Sequence, residues 1–95
     1  MKLSSKKQSK HNQRVKRIAG GYRSQGWNVK ADIKGSSAPR TIYGRQPDVI
    51  AVKGKKMRII EVETKASMKK DCSQRNAFKR FASLDKKRRF RTSII

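Results

Sequence analysis

Residues 47–64 constrain the fold of this chain more than any other stretch. Pro47-Asp48-Val49-Ile50-Ala51-Val52 is an apolar strand with a proline at its first position, where no ladder hydrogen bond is needed. Lys53-Gly54-Lys55-Lys56 is a turn, and Met57 to about Thr64 is a partner strand carrying Ile59, Ile60 and Val62. A loop this short joins antiparallel neighbours. The rest of the chain must therefore cover a hairpin that is apolar on both arms.

Two helical stretches are available to do so. Val15, Ile18, Ala19 and Tyr22 recur at helical spacing, and Gly26 is a C-terminal stop signal, although Gly20 and Gly21 weaken the pattern. A second helix runs from about Met68 or Asp71 to about Leu84, with Phe78, Phe81 and Ala82 as its buried stripe. Trp27, Val29 and Ala31 alternate with polar residues as a short strand. Residues 35–39 read as a loop, Thr41-Ile42-Tyr43 as a further piece of strand, and Phe90 to Ile95 as a last one after the charge run Lys86 to Arg89. The expected order is helix, three strands, helix, strand: an α/β fold with a mixed β-sheet flanked by two helices. Residues 1–10 lack periodicity and read as a flexible basic arm, leaving 11–95 as a single domain.

Charge narrows the partners. The chain has 27 Lys plus Arg against 6 Asp plus Glu, a formal net charge of +21 over 95 residues. Such an excess points to a polyanion, and nucleic acid is the first candidate because basic side chains displace its condensed counterions. No segment has the strong apolar face of a membrane-surface helix, none is long enough to span a bilayer, and the basic start is not followed by the apolar segment of a secretory signal. One cysteine, Cys72, gives neither an internal disulfide nor a zinc cluster. It reads as a small, at least half-buried residue. The expected setting is cytoplasmic, without membrane contact.

Against this background the few acids stand out. Asp48, Glu61 and Glu63 fall on the two arms of the one hairpin. Glu61 and Glu63 are two apart, so they share a face and repel unless a cation lies near. Hard divalent cations take carboxylate oxygens and substrate phosphate oxygens, and activate water. The plain alternative is a half-exposed strand whose acids pair with the many basic side chains. Lys65 continues the parity of Glu61 and Glu63 if the strand reaches it. Asp32 reads as a strand-end acid near the metal or, by preference, as a partner for a basic neighbour, and the only histidine, His11, as a solvated residue at a helix start.

Pro47-Asp48, the apolar hairpin and Ile59-Ile60-Glu61-Val62-Glu63-Thr64-Lys65 resemble the signature of the PD-(D/E)XK nuclease superfamily. The flanking elements, over about residues 11 to 85, resemble its first and second helices, in the layout of archaeal Holliday-junction resolvases and small phage or archaeal endonucleases. The resemblance implies a restriction-endonuclease-like core and a metal-dependent DNA endonuclease, with branched or structured DNA among its substrates. It implies Mg²⁺ (or Mn²⁺) held by Asp48, Glu61 and the Val62 carbonyl. Glu63 falls where most members have lysine, and is implied to orient or deprotonate the attacking water. A second register makes Glu63 the acid and Lys65 the lysine; the first is preferred because Glu61 directly follows Ile59-Ile60. Gln74 is implied to face the site, but Asp71-Cys72-Ser73-Gln74 equally fits an N-terminal capping box. The pattern departs from the family at the first helix, where no acid precedes Asp32; His11, Asn12 or Gln13 would have to stand in.

Arg40, Arg45, Lys65, Lys69 and Lys70 are the expected DNA contacts near the motif. No aromatic platform for stacking bases is evident, and Tyr43 and Trp27 read as packing residues. A homodimer would extend the grip of so small a chain, as in similar resolvases. The rival reading is a non-catalytic nucleic-acid-binding module or a degenerate nuclease.

Overall fold

A computed structural model describes residues 5–70 and 72–95. Its elements are α1 (Ser5–Ser24), β1 (Asn28–Ala31), β2 (Val49–Lys53), β3 (Lys56–Glu63), α2 (Lys65–Lys70), α3 (Ser73–Ser83) and β4 (Arg88–Ile94). The four strands form one mixed sheet in the order β1-β2-β3-β4. β1 pairs antiparallel with β2, β2 antiparallel with β3, and β3 parallel with β4. The fold is the expected α/β one. None of the described helices is long and apolar enough to cross a membrane.

Alternation along the strands sends side chains to two separate cores. On one face Val29, Ala31, Val49, Ala51, Ile60 and Val62 pack against Val15 and Ala19 of α1. On the other, Ile50 and Ile59 pack against Phe78 and Phe81 of α3, with Ile42 from the loop before β2. The central strands are thus buried on both sides, and a chain this basic still closes a core because its apolar residues are concentrated there.

Several boundaries differ from expectation. α1 begins at Ser5, so Ser5–Lys10 are helical rather than part of an arm. That segment has no apolar residue to betray the helical period, while its Lys, Gln and Ser are all compatible with a helix extended past the sheet. Gly20 and Gly21 do not break the helix, which ends at Ser24; Gly26 (φ 86°) lies just beyond, and the Trp27 amide donates to the Tyr22 carbonyl at 3.0 Å. Residues 41–43 are not a strand: Ile42 makes only an isolated bridge to Arg45 around a tight turn. β4 begins inside the charge run, at Arg88. It is an edge strand, where basic side chains are tolerated and discourage pairing with another chain.

One extra helix, α2, follows β3 directly. Thr64 caps it: the Ser67 amide donates to Thr64 Oγ1 at 3.0 Å, and the Thr64 amide to Ser67 Oγ at 2.9 Å. This reciprocal pair has the logic of a capping box. It turns the chain out of the sheet after Glu63, so Lys65 opens a helix, exposed to solvent, instead of continuing the strand.

Candidate active site

The hairpin register sets the acids at one end of the sheet. Val49 pairs with Ile60, so Asp48, just before β2, comes level with Glu61. β2 has ended here while β3 runs on, leaving β3 backbone without a β2 partner. Asp48 fills that place: its Oδ2 accepts from the Val62 amide at 2.8 Å, and its own amide donates to Glu61 Oε1 at 3.0 Å. Each acid is thus held by the other's strand. In a strand the carbonyl and amide of one residue point to the same side. The Val62 carbonyl accordingly faces the Asp48 side.

The two helices reach the same spot from opposite faces. From α3, Gln74 Nε2 donates to Glu61 Oε2. From α1, His11 Nε2 lies 3.4 Å from Asp48 Oδ1. His11 is one helical turn before Val15, on the stripe that α1 presses against the sheet. It is half-buried rather than solvated, contrary to expectation. The signal was the same Val15/Ala19 spacing extended one turn upstream, and it was missed because the helix was expected to start at His11. Asp32 is exposed, but its negative charge acts on His11, so it lies beside this site rather than away from it.

Glu63 shares the face of Glu61, as its spacing requires, but its carboxylate is engaged elsewhere. Ser67 Oγ donates to Glu63 Oε2, and Arg75 Nη1 stands 4.0 Å from Glu63 Oε1. Arg75 is only 6 % exposed, and it also donates to the Met68 carbonyl at 2.7 Å. Sequence reasoning missed both partners. Their role depends on where α2 turns, and no periodicity reports that.

The other expected residues are spread around this centre. Lys65 and Lys69 are exposed on α2, and only the backbone of Lys70 is described. Arg45 is half-buried in the turn before Asp48, and Arg40 lies with its guanidinium 5.2 Å from the Phe81 ring centre. Cys72 is an exposed thiol at the start of α3, not a buried one. Asp71 lies outside the described residues, and with it the proposed capping box; Gln74 is turned to Glu61.

Electrostatics follow from this burial. Glu61 is 5 % exposed. Loss of water, then the charge of Asp48 and, further off, that of Glu63, push its carboxyl up to about 9. His11 is raised above its ordinary 6.5, first by the hydrogen bond to Asp48. Both shifts act on stability in one direction. Between about 4.5 and 9 the folded Glu61 keeps a proton that the unfolded chain has released, so stability falls as pH rises through that window. The His11 contribution is full below 6.5 and is lost as pH rises through its folded value. In chelator, the melting temperature should therefore fall from about pH 5 to about pH 9, and Glu61→Gln should flatten the slope. A wild-type melting temperature that is flat or rising over that interval would contradict the burial of Glu61.

The donor set suits a divalent cation in chemistry: two carboxylates, one imidazole and a strand carbonyl on the same side. It is not preassembled. Among the described residues, no three ligating side chains converge on one point. Asp48 Oδ2 and Glu61 Oε1 are spent on backbone amides, and burial beside the Asp48 charge favours a proton on Glu61. Release of that proton frees the carboxylate, so metal affinity should rise with pH.

The chain matches the family model described as REase_AHJR-like, a restriction-endonuclease-like family of the PD-(D/E)XK type, over residues 3–91. No curated protein and no solved structure matches it.

Proposed function

The chain belongs to the AHJR-like family of restriction-endonuclease-like nucleases, and from that membership and the geometry at Asp48 we propose that it is a metal-dependent endonuclease hydrolysing DNA phosphodiester bonds. One observation carries the reading: Asp48 and Glu61 are locked together at the end of the sheet, with His11 and Gln74 closing on them from the two helices. A pure binding module gains nothing from carboxylates buried beneath a basic surface, since they repel phosphate and cost desolvation.

Asp48, Glu61 and the Val62 carbonyl would hold Mg²⁺ or Mn²⁺, with His11 Nε2 beside the same Asp48 oxygen. When bound, the ion supplies an activated water and neutralises charge developing on the scissile phosphate. The chain's residues do the rest. Gln74 holds Glu61 in place and, once Glu61 ionises, keeps a donor on it. Glu63 orients the attacking water as an acceptor held in place by Arg75 and Ser67. Lys65, Lys69, Lys70, Arg40 and Arg45 contact backbone phosphates and set affinity and salt dependence. Lys65 acts from α2 and not from the strand. Branched or structured DNA is the favoured substrate, and a homodimer, testable by sedimentation with and without DNA, doubles the footprint.

Titration calorimetry with Mn²⁺ tests the reading. A site lost in Asp48→Asn and weakened about tenfold in His11→Ala is expected, because deleting one ligand or its neighbour costs about 10–100-fold. Absence of any saturable site in the wild type at pH 8 would favour the non-catalytic or degenerate alternative.

A further inference from the structure

The turn between Pro39 and Pro47 carries an exposed ring that the fold does not need there. Ile42 and Arg45 exchange backbone hydrogen bonds of 2.7 and 3.0 Å around Tyr43-Gly44. Both central residues have positive φ, 51° for Tyr43 and 76° for Gly44. This is the backbone of a primed hairpin turn, whose first central position suits asparagine, aspartate or glycine. A tyrosine there is strained, and such outliers concentrate at sites of function. The base of the turn is fixed: Pro39, Ile42 and Pro47 are buried, and Gln46 donates to the Pro39 carbonyl at 3.0 Å.

Tyr43 is 55 % exposed and stands edge-on to Phe81, with ring centres 6.2 Å apart. Two cations share the Phe81 ring, Arg40 at 5.2 Å and Arg88 at 4.0 Å. Arg88 is further fixed by donating to the Phe81 carbonyl at 3.1 Å. A ring more than half exposed thus stands against Phe81, on which two guanidinium groups are also positioned. The patch adjoins the helix that also carries Gln74. Phe81 and Gln74 are seven residues apart on α3, two turns along the same face, or about 10 Å.

We propose that Tyr43 stacks on an unstacked base of the substrate strand near the scissile phosphate, with Arg40 and Arg88 on the adjoining phosphates. The inference rests on the nuclease reading and narrows its substrate to DNA with a locally unpaired base, as at a branch, bulge or single-stranded end. A continuous duplex keeps its bases stacked and offers no face to the ring. It also revises the expectation that Tyr43 is a packing residue.

The test is fluorescence anisotropy in chelator, where nothing is cut, comparing a duplex with the same duplex carrying a three-nucleotide bulge. Tyr43→Asn removes the ring while placing a favoured residue in the turn, so its fold should survive; circular dichroism checks this. Stacking is worth about 1–3 kcal/mol per base, so Tyr43→Asn should lose roughly 5- to 150-fold on the bulged DNA and less than about twofold on the duplex. Tyr43→Trp should keep the preference, with additional emission that the bulged DNA quenches. Equal affinity of wild type and Tyr43→Asn for bulged DNA, or equal losses on both DNAs, overturns the inference. A wild type that cuts DNA with metal while Tyr43→Asn shows no effect removes the stacking site alone. A Tyr43-dependent preference in a protein that cuts nothing keeps the stacking site and removes the nuclease.

Discussion

Asp48→Asn is expected to reduce DNA cleavage on the order of 10³-fold or more while leaving DNA affinity within about threefold. Asparagine has the shape of aspartate and keeps an oxygen to accept from the Val62 amide, so the strand end stays formed. The negative charge is lost, and with it the attraction for a divalent cation and the partner of His11. Binding should not suffer, because removing an acid beneath a positive surface lessens repulsion of phosphate. Single-turnover rates at saturating enzyme separate the two effects. A variant that cuts at near wild-type rate would move the metal to another acid, and a variant that loses binding in proportion to cutting would make Asp48 structural.

The second large effect is on stability. Phe78→Ala should cost about 3–5 kcal/mol. Phe78 is fully buried among Ile42, Ile50, Ile59 and Phe81, and its ring centre lies 5.7 Å from that of Phe90. It is the principal side chain joining α3 to the sheet, and a truncation there leaves a cavity that the two-sided sheet cannot collapse to fill. Natural domains have about 5–15 kcal/mol in hand, and small ones sit low in that range, so a large fraction of the molecules should unfold at physiological temperature. Denaturant melts measure this directly. A loss below about 1 kcal/mol would mean that α3 is not docked on Ile50 and Ile59 as described. Because α3 also carries Gln74, the folded remainder should be less active as well.

What could be read in advance follows from the range of the forces involved. The β2–β3 hairpin was legible because its apolar residues, proline and glycine turn are all local. The ends of α1 and α3 near Gly26 and Leu84 were legible for the same reason. The start of α1 was not: Ser5 to Lys10 contains no apolar residue, and a helix that extends past the sheet leaves no periodic trace. Nor was α2, whose only marker is Thr64 paired with Ser67, a cap with serine where glutamate is the usual signal.

In the site, the parity of Glu61 and Glu63 and their separation from the apolar Ile60 and Val62 came directly from strand geometry. That Asp48 approaches them followed from its place at the start of the paired strand, while the register that sets it level with Glu61 came from the structure. The electrostatic division between the two glutamates was not legible in advance. Glu61 is buried and drawn to Asp48, whereas Glu63 faces Arg75 and Ser67, and that difference depends on where the chain turns after the strand. Lys65 was misplaced by the same turn. His11 was obscured by the expected start of α1, since its place one turn before Val15 reads as part of the packed stripe only when the helix extends upstream of it.

The most direct test of the central claim is the incubation of end-labelled duplex, nicked, single-stranded and four-way-junction DNA with the wild-type protein in Mg²⁺, Mn²⁺ or chelator. The account predicts cleavage in at least one of the two metals and none in chelator, with the branched or single-stranded substrates cut faster than the continuous duplex. Tight binding of every DNA with no cleavage in either metal would contradict it, and would leave Asp48 and Glu61 as the locked end of a hairpin in a DNA-binding protein.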